Sequence, residues 1–274
     1  MQKPYWQQWT CSKLLKLLLV LLFVQSYAKV ELNDLHLNLN VEKFQLENGI
    51  SVCLIARHRS PIVMQQVWYN VGSGDEHDGI TGVSHFLEHM MFKGTPLYPS
   101  GAFNQELKKI GAQYNAFTSQ DFTVYHEIVL RENLEKVINL EADRMRNLDI
   151  ELSLMEKERK VITEERRSRT EDDPYALARE SFYLHAYEGN PYQSPVIGHM
   201  RSIHNVTKAK LQHWYNSYYT PSNVTLIYIG DIKKKELKQL LLKSFSGIAS
   251  TNAIVAPQYK RHEPTGYRYS ELRK

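Results

Sequence analysis

The feature that constrains this chain most is the pentapeptide HFLEH at residues 85–89. Side chains four residues apart lie on one face of an α-helix, so His85 and His89 would sit one turn apart, with Glu88 in the same sector. The surrounding segment, residues 83–92, is mostly apolar, and polar groups buried there need partners. Neutral imidazole is the commonest nitrogen ligand of zinc, and a carboxylate beside the metal can take a proton from water. The H-x-x-E-H pattern therefore predicts a helix with two metal ligands and a general base.

A second charged segment offers a third ligand. Residues 151–170 carry so many charges that they are typical of a solvated helix. On a helical wheel, however, Glu158 and Glu165 fall within about 20° of the centre of an apolar stripe, while Glu164 lies about 120° away. The stripe consists of Leu154, Met155, Val161 and Ile162. Carboxylates in such a stripe need a metal ion or cations as partners, and the neighbouring Lys and Arg residues could supply the cations instead.

The rest of the pattern predicts both strands and helices. Two short apolar runs in residues 43–56 flank the turn signal Glu47-Asn48-Gly49, and residues 61–71 are β-rich. Residues 112–130 alternate with period two and predict a hairpin. One side of its second strand would carry Phe122, Val124, His126, Ile128 and Leu130. Further helices are predicted at residues 101–110, 131–148, 174–187, 208–219 and 233–245, and a further strand at 223–229. The polar run at residues 75–78 is interpreted as a solvated loop before the first helix.

The first 28 residues resemble an export signal. Lysines precede an apolar run of eight residues, Leu17 to Val24, and Ser26-Tyr27-Ala28 follows with small residues at the cleavage positions. The run is too short to span a membrane as a helix. Residues 1–28 hold three lysines and no acid, so the remainder has 31 basic and 30 acidic residues. We therefore expect an exported protein, periplasmic or secreted, with no stable membrane span after cleavage and no nucleic acid as a partner.

Several ordered motifs are similar to those of the pitrilysin/insulinase family of zinc metallopeptidases, the inverzincins. They are Val71-Gly72-Ser73, Glu76, Gly79, Gly82, the pentapeptide with the following Met90 to Thr95, Asn115-Ala116-Phe117-Thr118-Ser119, Thr123, Tyr125, Glu158-Arg159 and Glu165. The resemblance implies an α+β fold with a largely antiparallel sheet and helices packed on one face. It covers the N-terminal catalytic half of such a peptidase. We expect a catalytic domain at residues 29–252, and in 253–274 a linker and the truncated start of a second homologous domain.

The resemblance also implies roles for individual residues. His85, His89 and Glu165 would hold one zinc ion, and Glu88 would be the general base. Glu158 would be an auxiliary acid near the site. These assignments agree with the wheel, which favours the carboxylate at 165 over its neighbour at 164.

A peptide substrate would bind beside these groups. The resemblance places Asn115, Ala116 and Phe117 in contact with the substrate backbone, at an edge strand to which an extended peptide adds as a further strand. The expected activity is that of a zinc-dependent endopeptidase that hydrolyses peptides or small unfolded proteins through a metal-activated water.

Two other functions compete with this one. Because family members carry two halves that close on the peptide, the chain could be a weak or inactive half-subunit that needs a second subunit or a missing C-terminal half as its partner. An S-ribosylhomocysteine lyase shares the H-x-x-E-H motif but takes a downstream cysteine as its third ligand, and Cys53 lies upstream.

Overall fold

The computed structural model describes residues 39–251 together with Gly266, Tyr269 and Glu271. The export signal expected at residues 1–28 lies outside the described residues, as does most of the linker expected at 253–274. None of the helices in the described ranges is long and apolar enough to cross a membrane.

One sheet of six strands runs through the described part of the chain. The strands are β1 (Glu42–Gln45), β2 (Ser51–Ala56), β3 (Ile62–Tyr69), β4 (Gln113–Thr118), β5 (Thr123–Leu130) and β6 (Val224–Gly230). Their order is β1-β2-β6-β3-β5-β4, and every neighbouring pair is antiparallel except β2 with β6. The prediction of a largely antiparallel sheet in an α+β fold is confirmed.

Among the described residues, seven of the eight helices lie in segments that the sequence predicts to be helical. They are α1 (Val83–Met90), α2 (Ala102–Lys109), α3 (Leu134–Asn147), α4 (Leu152–Arg166), α5 (Pro174–Ala186), α6 (Met200–Asn205), α7 (Lys208–Tyr218) and α8 (Lys234–Phe245). A five-residue stretch of π-helix, Arg167–Glu171, follows α4. The short helix α6 and this π-helical stretch were not predicted from the sequence.

The hairpin of β4 and β5 was predicted, but its buried side is the more polar one. In β5 the buried residues include Thr123, Tyr125, Glu127 and Val129, whereas His126 and Ile128 on the other side are only half-buried. Thr123 donates its hydroxyl hydrogen to the carbonyl oxygen of Val71 at 2.9 Å. Polar side chains are tolerated on this face because each has a partner inside the protein.

One of these partners, Arg144, is a buried cation: its side chain is 1% exposed. Its Nε donates to Glu141 Oε2 at 2.8 Å, and its Nη2 lies 3.4 Å from Glu127 Oε1. The guanidinium also lies over the rings of Phe92, Phe103 and Tyr125. Two carboxyl groups face one buried cation, so the cluster is neutral only if one of the carboxyls keeps a proton.

The proton of this buried cluster resides on the carboxyl group of Glu127. Burial is the largest cause that raises the pKa of Glu127 well above its usual value, and the charge of Glu141 and a hydrogen bond with it raise the pKa further. The unfolded chain has no such environment. Folding therefore binds a proton at this position at neutral pH.

Replacing Glu127 with Gln should raise the free energy of unfolding at pH 8, and the gain over the wild type should widen from pH 5 to pH 8. The folded carboxyl keeps a proton that the unfolded chain releases above the ordinary value of 4.5. Rising pH then costs up to about 1.4 kcal/mol per pH unit in the wild type. Glutamine has the same size and does not titrate. Urea denaturation at several pH values measures the difference.

Glu141→Gln is the matched control, because it removes the nearest counter-charge of Arg144 and should destabilise the protein. A Glu127→Gln effect that stays constant with pH would contradict the assignment of the proton.

Candidate metal centre

A buried acidic side chain caps the start of helix α1. Glu76 is 3% exposed, and its two oxygens accept hydrogen bonds from the backbone N–H groups of Gly82 at 2.7 Å and Ser84 at 2.8 Å. These amides are among the four that the first turn of a helix leaves without an internal partner. The interpretation of residues 75–78 as a solvated loop is therefore wrong for Glu76, which caps the helix.

The same helix start lies in close contact with a distant loop. Gly82 has φ 87°, and a Cβ built there would lie 2.4 Å from the carbonyl oxygen of Ile197. Only glycine allows that backbone conformation and that approach without strain. The N-terminus of α1 is thus fixed by its own loop and by the segment before α6.

Three ligand atoms converge between α1 and α4. Glu165 Oε2 lies 3.8 Å from His85 Nε2 and 3.4 Å from His89 Nε2. The three atoms all lie within 4.8 Å of one another. The structure therefore brings together the three side chains that the sequence singled out on two helices far apart in the chain.

This group fits a divalent metal ion. Two imidazole nitrogens and one carboxylate oxygen form a catalytic zinc donor set, which leaves a fourth position for water. Ligand atoms about 2.0–2.2 Å from one tetrahedral ion are separated by roughly 3.4 Å, close to the distances seen here. Cys53, the candidate third ligand of a lyase, lies in β2 and is not part of this group.

Glu158 lies on the other side of His89. Its Oε1 is 2.8 Å from His89 Nδ1, and its Oε2 is 2.5 Å from Lys93 Nζ. A carboxylate on the second ring nitrogen fixes the orientation and tautomer of a histidine that binds metal through the first. Glu158 thus lies where it positions His89, and the role of auxiliary acid that the resemblance implies for it stays a prediction.

The two imidazoles have opposite protonation tendencies. Burial, followed by the neighbouring His89, lowers the pKa of His85 to about 4, so this ring is neutral at physiological pH. Burial alone would lower the pKa of His89 as well, but hydrogen bonds with Glu158 and Glu165 outweigh it and raise that pKa to about 9. A metal that binds through Nε2 must displace this proton.

Glu88 faces the same space from α1. It is 8% exposed, and its Oε2 accepts a hydrogen bond from the Thr118 hydroxyl at 2.5 Å. Burial raises the pKa of Glu88, while the Thr118 hydroxyl and the charge of His89 act to lower it. A carboxyl tuned upward in this way suits proton transfer near neutral pH.

The buried face of helix α4 agrees in part with the face that the helical wheel predicts. Met155, Glu158 and Ile162 are buried as expected, but Val161 is 51% exposed and lines the cleft in front of the site. Glu164 points to solvent and pairs with Arg167 at 2.7 Å.

The second oxygen of Glu165 has a partner that the sequence did not indicate. Arg169, in the π-helical stretch, donates from Nη1 to Glu165 Oε1 at 2.6 Å. This bond leaves Oε2 directed at the two imidazoles. The signal missed was the spacing of four residues between an acid and an arginine on one helical face.

A cleft of about 1280 Å³ opens in front of these groups. Its lining includes Asn115, Ala116 and Phe117, which belong to β4 at the edge of the sheet. Ser119 N–H donates to the Phe122 carbonyl at 2.8 Å, and hydrogen-bonded pairs alternate along an antiparallel ladder. The backbone groups of Ala116 therefore point away from β5, towards the open edge.

Sequence comparison agrees with this geometry. The profile described as "Insulinase (Peptidase family M16)" matches residues 51–199, more than half of the chain. The chain belongs to the M16 peptidase family. A second profile, "Peptidase M16 inactive domain", matches residues 205–273. The resemblance to the pitrilysin/insulinase family is confirmed.

This M16 chain matches only about half the length of its relatives. It is 32% identical to the zinc protease PqqE of Helicobacter pylori, over 85% of this chain and 53% of that protein. It is also 32% identical to cytochrome b-c1 complex subunit 1 of Bos taurus, over 76% of this chain and 43% of that one. The crystal structure of the first half of the periplasmic protease PqqL from Escherichia coli superposes with TM-score 0.73 and 29% identity, covering 79% of this chain and 48% of that one.

The boundary between the two profiles does not separate two folded units. The second profile begins at residue 205 and includes β6, which lies between β2 and β3 in the sheet. Both matched segments therefore contribute to one sheet. The domain limits expected at residues 29–252 and 253–274 stay a prediction.

Replacing Glu165 with Gln should weaken zinc binding at least about a hundredfold, because an amide oxygen is a poorer ligand than a carboxylate and the charge is lost. Glu164→Gln, one residue away on the same helix, should leave zinc affinity unchanged. Competition against a zinc chelator at pH 7.5 measures both affinities. Equal losses in the two variants would exclude Glu165 as a specific ligand.

Proposed function

We propose that this chain is the zinc-binding catalytic half of a metalloendopeptidase that hydrolyses peptides or small unfolded proteins. The observation that carries the proposal is the convergence of His85 Nε2, His89 Nε2 and Glu165 Oε2 in one cleft with a buried carboxylate. The relatives named as zinc proteases support the same chemistry.

The substrate is proposed to bind as an added strand on β4. The Ala116 N–H donates to the side-chain oxygen of Asn115 at 2.9 Å. A peptide carbonyl can replace that oxygen as the acceptor. The exposed ring of Phe117 lies in the same lining. Main-chain hydrogen bonds of this kind hold a peptide of almost any sequence in extended form.

When bound, zinc would supply Lewis acidity towards a water molecule and the scissile carbonyl. Glu88 then accepts the proton of the attacking water and returns it to the leaving amine. The Thr118 hydroxyl holds the Glu88 carboxylate in place, and Glu158 with Lys93 holds the ring of His89.

Glu88→Gln should retain zinc and lose peptide cleavage by at least about a hundredfold, because an amide cannot accept the proton. Zinc content by metal analysis and hydrolysis of a quenched fluorescent peptide measure the two properties. The Glu164→Gln protein serves as the control with normal activity. Cleavage by the Glu88→Gln protein at the wild-type rate would rule out Glu88 as the base.

A second candidate is a half-subunit that binds zinc and peptide but needs a partner for turnover. Helix α5 supports it, because within the described residues this helix buries only Ala176. Its exposed apolar side chains are Tyr175, Phe182, Tyr183 and Leu184, and Tyr187 directly after the helix is exposed as well. Soluble proteins seldom leave so large an apolar surface uncovered. A partner that supplies the part of the relatives' length that this chain does not match would cover it.

The 274-residue chain alone should therefore bind zinc but cleave peptides slowly. Groups from a closing half would be needed to exclude water and complete the site. The test combines zinc content, molecular mass in solution and peptide hydrolysis on one sample. Efficient turnover by a verified monomer would contradict the half-subunit candidate.

We also propose export, on the basis of residues 1–28 and of the structural relative described as periplasmic. Amino-terminal sequencing of the chain recovered from cells would show whether cleavage follows Ala28.

A further inference from the structure

The charges that line the cleft are not balanced. Its acidic residues are Glu88, Glu164, Glu165 and Glu180, and its cationic residues are Lys160, Arg169 and Arg179. Which of these groups remain available to a substrate depends on their partners inside the protein. A charge already paired contributes little to recognition, whereas an unpaired charge in a concave site attracts the opposite charge.

Three of the four acids are paired with an arginine. Glu165 is bound to Arg169, whereas Glu88, the proposed proton acceptor, accepts the uncharged hydroxyl of Thr118. Glu164 pairs with Arg167 at 2.7 Å.

Glu180 has the strongest set of partners. Both of its oxygens accept from the guanidinium of Arg166, at 3.2 and 3.0 Å, and His199 lies 3.5 Å from one of them. Arg166 is 6% exposed and also donates to the carbonyl of Gly198 at 2.9 Å. The bidentate pair attaches α5 to the end of α4 and fixes the backbone of the neighbouring residue, Arg179, on the cleft wall.

Two cations of the cleft, Arg179 and Lys160, differ from the charged groups described above. Among the described residues, Arg179 and Lys160 make no hydrogen bond or ion pair, and both are exposed. The charge of Lys160 acts on Glu156, one helical turn earlier, but Glu156 is bound to Arg159 through both of its oxygens at 3.0 Å. The cleft therefore presents two positive charges, one from α4 and one from α5, that have no hydrogen bond or ion pair among the described residues.

We propose that the cleft selects peptides that carry acidic side chains beside the scissile bond, with Arg179 and Lys160 as the groups that bind them. The proposal rests on the peptidase function and names its substrate class. Asn115, Ala116 and Phe117 of β4 line the same cleft as these two cations, so a peptide added to β4 would share the cleft with them. The apolar surface of Val161 and Tyr183 in the same lining accommodates the uncharged neighbours of the acidic residue.

The test uses three matched peptides that differ only in charge: one with Asp and Glu on both sides of a fixed central sequence, one with Asn and Gln there, and one with Lys. The wild-type chain should prefer them in that order, with kcat/KM about fivefold higher for the acidic peptide than for the amide peptide. Salt should reduce the preference. The double variant Arg179→Gln/Lys160→Gln should lose the preference, and Arg179→Glu should favour the Lys peptide.

Arg57→Gln and Lys108→Gln are matched controls, since both residues are exposed and lie outside the cleft. They should keep the wild-type preference. Equal rates for the three peptides in the wild type, or a preference that survives in the double variant, would overturn the proposal.

A measurement of peptide binding tests the charge preference independently of the proposed peptidase function. Fluorescence anisotropy of the same labelled peptides with the Glu88→Gln protein measures selection without cleavage. Acidic preference in binding by a chain that holds no zinc would support the cation pair and refute the proposed function. Zinc-dependent cleavage without any charge preference would support the proposed function and refute the cation pair, and absence of both zinc binding and peptide binding would refute both.

Discussion

The contact between two helices that are distant in sequence, α1 and α4, is the constraint on which the site depends. His89 lies between Glu158 and Glu165, with a carboxylate at each ring nitrogen. The two acids are seven residues apart on α4, that is, about two helical turns. Any rotation of α4 would remove both at once. The apolar residues Met155 and Ile162, which are fully buried on the same face, fix that rotation by packing.

Much of this arrangement could be predicted from the sequence because it depends on local periodicity. The spacing in HFLEH determines the shared face of His85 and His89, and the stripe on α4 separates Glu165 from Glu164. The strands and the main helices follow from changes of period in the same way. These features are short-range, so a single sequence contains them.

What could not be predicted depends on contacts between distant segments. The capping role of Glu76 requires the loop of residues 75–78 to fold back over the start of α1, and in the sequence it looks like one acid in a polar run. Glu127 appeared to belong to an ordinary alternating strand, yet it is buried because Arg144 arrives from α3. Arg169 is a different case, because its spacing of four residues from Glu165 is visible in the sequence, and what was not predicted is that the chain after α4 continues as a π-helix. Tertiary partners decided the other two cases, and local propensity carries no information about them.

The position of β6 has a consequence for synthesis on the ribosome. This strand pairs with both β2 and β3, which are successive in the chain but never neighbours in the sheet. Until residue 230 has left the exit tunnel, both early strands present open hydrogen-bonding edges. Helix α1, with His85 and His89, is therefore synthesised long before β6 can join β2 and β3 into one sheet. Such a long-range closing step slows folding and exposes the intermediate to aggregation.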